Sequence, residues 1–540
     1  MRRRERRVPD TAQHSLDWGG APEAEGAAGP TRCGGTAFRA STPWHLYVGN
    51  ERLDQYLNRR GLGWVVRLRE ELQAVDFSDL ETNYTGVGRA PYHPRMMMGL
   101  IIYGTLKKKS TLRELEELAV ADVGAWWICG GEQPDHSTIG NFLVRHQEAI
   151  SRELFISLVH DLVGRKGITN GVVAGDGTVI EAAASRYTML SQEAAEQVAA
   201  EAKKSADQQP ADQGLAQAAR QAEEIAAVAR QRGARRWRPS RGSTEAKSAW
   251  VVAPFESAAV MQPCKDGRRR PSYKPSVLVH ECGLIVSQAV EASRESAAIP
   301  ELLDQHEAVF GAAPRTLLLD AGYHNIDVLT HIAARQIDVL CPSGSPVEGQ
   351  WTRKGYQGKF GKTDFAYDAD TDRYRCPAGQ WLVPGATYHE PSKGLAARKY
   401  RTTQCRGCEL RARCTQSKQG RALERYEGEE IKEAMQQVMA QRGAKRQYRK
   451  RKEIVERIFA ELAWRQGLKR FRRRGRSGSA LEFSVHCIAH NLKWALRASP
   501  SRLVFALIRH LRRWWRLRVI WARNLPISRP DSDNLQPLAA

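Results

Sequence analysis

The stretch "PRTLLLDAGYHNIDVLTHIAARQIDVLCP" (314–342) constrains the fold more than any other segment of the chain. The apolar run Leu317-Leu318-Leu319 ends at Asp320, a turn rich in Gly and Asn follows, and a helix-period segment leads to a second β-branched run. Strand, turn, helix and strand in so short a span give an α/β sheet with helices packed on its faces. The same grammar returns upstream. "ITNGVVAGDGTVIEAAAS" (168–185) reads as a hairpin around a Gly-Asp-Gly turn, and its first run, Val172-Val173-Ala174-Gly175, closes at Asp176. Strand patterns continue in "SYKPSVLVHECGLIVSQAVEA" (272–292), and a helix is expected near 298–309. Residues 190–248 are rich in Ala, Gln and Glu and end in the basic loop "RRWRPSRG"; they read as a helical insertion without chemistry.

Ahead of this region the pattern is helical. Residues 1–41, rich in Arg and then in Gly, Ala and Pro, read as a tail without a fold. Over 42–165, "PRMMMGLIIYGTLKK" reads as a buried helix. "STLRELEELAVADVGAWWICGG" reads as one helix opened by a capping box, Thr111 to Glu114, and stopped at Gly130 and Gly131. "PDHSTIGNFLVRH" starts another at about Ser137. Two helices joined by a short Gly- and Pro-containing turn match helix-turn-helix geometry, and equally a scaffolding pair. The first reading puts Asn141 and Arg145, four apart, on a DNA-reading face.

Charge narrows the partner. The net charge is +23, and from Gln441 to Ile520 the chain carries 23 Lys and Arg against four Glu and no Asp. A field that concentrated favours a polyanion, most commonly nucleic acid, over a merely soluble surface. No run of 18 uncharged apolar residues exists, so no membrane span is expected. "LVFALIRHLRRWWRLRVIW" (503–521), broken by five arginines, suits an anionic surface or more nucleic acid. The N-terminus lacks a secretory h-region, and ten cysteines in such a chain read as reduced thiols or metal ligands in a cytoplasmic, nucleoid-associated protein. Cys405-x2-Cys408, with Cys414 and Cys376, has the count a four-thiolate Zn²⁺ site needs; four plain thiols are the alternative.

Chemistry points to acids. Asp176 and Asp320 each end an apolar run, where α/β sheets bind ligands, although either could simply cap a turn. A third acid, Glu456, lies beside the apolar stripe Val455, Ile458, Phe459 and Leu462, with Ala460 and Ala463 in its own lane. Three such carboxylates suit Mg²⁺ or Mn²⁺, whose hard-oxygen preference matches a phosphate substrate.

"GDGTVIEAAAS", "LLLDAGYHN" and "YRKRKEIVERIFAEL" with "GLKRFRRRG" resemble, in order, the catalytic segments of bacterial insertion-sequence transposases of the DDE class. "GRAPYHPRMMMGLIIYG" through "PDHSTIGNF" is similar to their N-terminal helical domain, and "HNLKWAL" to the closing helix of their core. The resemblance implies an RNase H-like core with Asp176, Asp320 and Glu456 as its metal-binding catalytic triad. It also implies DNA contacts by Tyr448 and Arg451. Ala463 stands where the family's usual lysine follows the glutamate, with Arg465 or Lys469 as substitutes. Arg472, Arg473, Arg474 and Arg476 are expected on the DNA backbone, and His324 either near the site or in a turn. A subset of the family carries a cysteine-rich insertion between the second Asp and the Glu.

The implied organisation is a tail (1–41), a helical domain (42–165), a first segment of the catalytic core (166–345), a cysteine-rich insertion (346–445), a second segment of the core (446–500) and a basic extension (501–540). The implied activity is cleavage and strand transfer of double-stranded DNA at terminal inverted repeats, by a homodimer or larger assembly. The competing readings are an inactive DNA-binding relic or regulator, and a related nuclease.

Overall fold

The computed structural model describes residues 32–33, 36–39, 41–84, 90–234, 251–264, 266–344, 360–390 and 394–497. The basic loop 235–242 and the arginine-broken stretch 503–521 lie outside them.

The helical domain is built on α1 (Pro94–Leu106), whose residues are nearly all buried, as a helix apolar on every side must be. The segment expected as one helix over 111–129 is two: α2 (Leu112–Ala121) and α3 (Val123–Cys129). The capping box at Thr111 forms as expected, and Gly130 closes α3 at φ +63°. The break comes at Asp122, whose side chain accepts the Gly124 and Ala125 N–H groups and the Tyr103 hydroxyl at 2.7 Å. An aspartate with two local N–H donors and the distant Tyr103 hydroxyl starts a new helix rather than continuing the old one. Next comes α4 (His136–Arg145), one residue earlier than expected, because the Asp135 side chain caps it by accepting Thr138 N–H. Of the tail expected to lack a fold, residues 1–31 lie outside the described residues, and only 32–33, 36–39 and 41 are described. Thr36–Ala37 pairs with Arg32–Cys33, and Phe38 is buried against Tyr84 and His93.

The central sheet comprises β1 (Val172–Gly177), β2 (Ile180–Glu181), β3 (Val260–Pro263), β4 (Arg269–His280), β5 (Ile285–Glu291), β6 (Thr316–Leu318) and β7 (Asp338–Leu340). Its order is β7-β6-β1-β4-β2, with β3 and β5 also on β4. Strands β7, β6 and β1 are parallel, while β4 runs antiparallel to β1 and β5. The hairpin expected around Gly-Asp-Gly is absent. Both β1 and β2 pair with β4, Asp176 opposite Val277 and Ile180 opposite Tyr273. Neither Gly175 nor Gly177 takes the positive φ of a tight hairpin turn, and Thr178 N–H stays bonded to Pro275. The expected insertion is a helix pair, α5 (Gln192–Gln208) and α6 (Gln213–Ala234), joined by an alanine seam. Helices α7 (Ile299–Phe310) and α8 (Ile326–Ala334) form where the periodicity put them.

Strands between Ala366 and Tyr426 form a separate five-stranded antiparallel sheet over Phe365, Tyr374, Leu382, Tyr400 and Leu423. The chain then returns through α9 (Lys450–Ala460), and its last described helix is α10 (Gly475–Arg497). Asn491 on α10 bonds both backbone groups of Ile285, fixing that helix on β5. Among the described residues no helix is long and apolar enough to cross a membrane.

Candidate active site

Strands β1 and β6 pair in parallel up to the rung Ala174–Leu318. Asp176 and Asp320 each lie two residues past it, side by side, Asp176 still on the β4 ladder and Asp320 just beyond the end of β6. Val173, Ala174, Leu317, Leu318 and Leu319 are wholly buried, which fixes both strands in the centre and forces the first polar residues to their ends. Asp176 Oδ1 accepts the Gly177 N–H at 2.9 Å, and Asp320 Oδ1 accepts the Gly322 N–H at 2.8 Å.

Arg451, from the start of α9, reaches between them. Its Nη2 is 3.0 Å from Asp176 Oδ1 and 3.9 Å from Asp320 Oδ2, and its Nε donates to Gly175 O. Nη2 is buried and completes no directed hydrogen bond, so the pair holds it by charge. Burial pushes the Asp176 carboxyl up to about 6; Asp320 and Glu295 push the same way, against Arg451 and the Gly177 N–H. Two oxygen-donor carboxylates sharing one positive charge fit a hard divalent cation. Tyr448 stands beside them, half-buried, and burial raises its phenol above the usual range.

Glu456 lies apart from the pair. Val455, the residue before it, is buried with Ala174, Leu318 and Leu340, and this contact seats α9 on the sheet. The next side chain therefore turns outward. Glu456 is 59% exposed, and its charged neighbour is Lys452 one turn back at 3.9 Å. The stripe of Val455, Ile458 and Leu462 is buried as the spacing predicted, with Phe459 half-buried. Glu456, expected to join the two aspartates, does not stand with them in this arrangement. Among the described residues no group of three or more His, Cys, Asp or Glu stands in metal-holding geometry.

The basic residues divide. Arg465 is exposed, and Lys469 lies 3.8 Å over the exposed Trp464 ring. The arginine run is largely engaged within the protein. Arg472 bonds Ser110 and pairs with Glu114, and Arg476 bonds Val290 O and pairs with Glu291. Arg473 is half-buried, and Arg474 packs over Phe255. On α4 both Asn141 and Arg145 face outward, opposite the buried Ile139, Phe142 and Leu143; Arg145 lies 5.2 Å over Tyr84. His324 has a buried, unpartnered Nε2 and lines a cleft of about 1170 Å³ that also touches Glu295, Gly322 and Lys432.

Cys376, Cys405, Cys408 and Cys414 line one small cavity of about 30 Å³ and are all free thiols. Gln380 N–H points at Cys376 Sγ from 3.3 Å. Burial raises the Cys414 thiol; Arg421 opposes this and the other three thiols add to it. The four are therefore neighbours, although no three of them converge on one point.

Sequence reasoning passed over Glu295, Lys274 and Tyr323. Glu295 Oε2 is 3.5 Å from Lys274 Nζ, and Tyr323 is fully buried. The one local signal was that Glu295 follows the end of an apolar strand, as both aspartates do.

Residues 375–495 match the family described as "Transposase DDE domain", and residues 53–145 match "Transposase domain (DUF772)". The first range contains Glu456, Arg451, Tyr448 and the four cysteines; the second contains Asn141 and Arg145. No curated protein matches the chain.

Proposed function

We propose that this chain, an insertion-sequence transposase of the DDE class by its two family matches, binds the terminal inverted repeats of its own element and cleaves and joins DNA strands at Asp176 and Asp320. The observation that carries this reading is the two carboxylates leaving adjacent parallel strands and sharing the Arg451 cation. The sheet order supports an RNase H-like core, in which antiparallel β5, β4 and β1 precede parallel β6 and β7.

Asp176 and Asp320, joined by Glu456 when the edge of α9 turns inward, would hold a Mg²⁺ or Mn²⁺ ion. Such an ion activates the attacking oxygen and stabilises the leaving one in displacement at phosphorus. Arg451 offsets the repulsion between the two aspartates. Its position next to them also suits a phosphate that approaches the pair. Tyr448 lines the same edge with an aromatic face. Arg465 and Lys469 with Trp464 form the exposed basic and aromatic patch nearest in sequence to the glutamate, and they suit a DNA backbone. Asn141 and Arg145 present a second outward surface for duplex DNA, and end binding by a homodimer or larger assembly would join the two surfaces. The four cysteines around one cavity support a structural Zn²⁺ site that would close when the thiolates converge.

A non-catalytic DNA-binding protein is the second reading, favoured by the outward Glu456 and by Ala463 in place of the usual lysine. Nicking of a supercoiled plasmid carrying the element's ends separates the two. The wild type should cut only with a divalent ion, and D176N, D320N and E456Q should each lose cleavage yet keep end binding. End binding by the wild type without any cleavage would favour the second reading.

A further inference from the structure

We infer that the outer face of the five-stranded sheet binds single-stranded DNA, with Trp381 as the stacking surface and Arg375 and Arg401 as the phosphate contacts. The site is separate from the two aspartates and needs no divalent ion. Its strands are β8 (Ala366–Asp368), β9 (Arg373–Arg375), β10 (Trp381–Glu390), β11 (Leu395–Arg401) and β12 (Ala422–Tyr426), paired antiparallel in that order. Residues opposite one another on neighbouring strands share a face, so the register sorts the side chains. Tyr374 opposite Leu382 and Tyr400 opposite Leu423 fill the buried face.

Two rungs give the other face its chemistry. Arg375 lies between Ala366 and Trp381, and Arg401 lies between Val383 and Ala422. All six residues are exposed, Trp381 by 43% and Val383 by 50%. The apolar pair thus stands on the central strand, with an arginine on the strand to each side. Alanine or an apolar side chain is all that either arginine has opposite it, and neither forms an ion pair among the described residues. The acids of the same face are already engaged: Asp368 stands opposite Arg373, and Glu424 pairs with Lys399 at 3.3 Å. Strands about 4.8 Å apart put the stems of Arg375 and Arg401 roughly 10 Å from each other, one on either side of β10.

Free guanidinium groups around an exposed aromatic ring fit a polyanion whose units carry flat faces. A single strand supplies both, phosphates for the arginines and an unstacked base for the indole. A duplex keeps its base faces stacked inside and gives Trp381 nothing to lie on. A second copy of the same face would set arginine against arginine. Strand cleavage under the proposed function would supply such a strand, but the binding does not depend on it.

Fluorescence anisotropy of the full-length protein with a labelled oligo-dT strand, and with a duplex of equal length, both in chelator, tests this. W381A should weaken oligo-dT binding by roughly tenfold or more, the scale of one lost base–aromatic stack, and W381F should recover most of it. Duplex binding by W381A should be unchanged. R375A/R401A should flatten the slope of log affinity against log salt on the single strand by about 1.4 units, for two phosphates lost. W381A should leave that slope as it is. All these positions are exposed, and melting temperatures check that each variant is folded. Oligo-dT binding by folded W381A as tight as by the wild type overturns the inference, as does an equal loss on both DNAs or no oligo-dT binding by the wild type. A wild-type dimer that W381A dissociates, with oligo-dT binding unchanged, overturns it in favour of a contact between copies. Chelator removes the metal, so none of these results bears on cleavage, which the plasmid assay reads separately.

Discussion

Asp176 should cost this protein stability, and the cost can be worked from its surroundings. The carboxyl sits at about 6 where 3.8 is its ordinary value, and burial is the largest cause. Because the folded value lies above the unfolded one, the folded state binds the proton more tightly. Whatever stability the protonated form contributes is complete below about pH 4, and it is lost as pH rises through 6. At about 1.36 kcal/mol per pH unit the gap corresponds to about 3 kcal/mol; the 20% exposure of the side chain argues for the lower part of a ~2–3 kcal/mol range. Asn mimics the protonated acid in size. D176N should therefore melt higher than the wild type at pH 7.5 in chelator, by roughly 2–3 °C for a chain of this length, and the difference should vanish near pH 4. Adding Mn²⁺ should reverse the order, because the wild type gains a bound ligand and the variant does not. Differential scanning fluorimetry of both proteins across pH 4–8, with and without Mn²⁺, reads all of this. A D176N protein that melts lower than the wild type at pH 7.5 in chelator would refute the reasoning: the Arg451 ion pair would then outweigh burial.

Asp122→Ala removes the cap of α3 and the acceptor of the Tyr103 hydroxyl; a destabilisation of about 2–4 kcal/mol is expected from the cap and the orphaned buried phenol together, checked by thermal melting. Zinc near one ion per chain should appear by elemental analysis of protein purified without chelator and fall away in a Cys405→Ser/Cys408→Ser variant; equal content in the two proteins ends that idea. Replacing Arg465 and Lys469 by alanine should flatten the slope of log affinity against log salt on duplex DNA by up to about 2 units. The same change at Arg472 and Arg476 should lower the melting temperature and leave the slope nearly unchanged, because those two side chains already hold Glu114 and Glu291.

The features of this fold that were legible in the sequence are the ones written in neighbouring residues. The buried α1, the Thr111 capping box, the stop at Gly130 and the strand-helix-strand of 314–342 each depend on residues within a few positions of one another, and each forms. Where expectation and structure differ, a distant partner decided. Asp122 breaks a helix because Tyr103, nineteen residues back, stands ready to donate. Gly-Asp-Gly stays extended because β4, far along the chain, pairs with it instead of with its own continuation. Arg472 and Arg476 of the arginine run pair with Glu114 and Glu291, acids that come from other elements altogether and leave no mark in the run itself.

The candidate site divides along the same line. Both aspartates could be read because a strand end is a local event, and the sheet then brings them together through a single parallel register. Glu456 could be read as an acid beside an apolar stripe, but not where it would point. On a helix, the neighbour of a buried residue is rotated by about a quarter turn, so the burial of Val455 against Ala174, Leu318 and Leu340 carries Glu456 outward. Moving it toward the aspartates requires α9 to roll or its end to unwind, and a π-helical turn, Glu461–Arg465, directly follows α9. Glu295, in the turn after β5, lies against the glycines that follow each aspartate, a contact that only the sheet brings about. The two carboxylates legible from strand ends are thus the ones the fold holds together, while the acid with the strongest sequence signature is the one whose position depends on how a single helix packs.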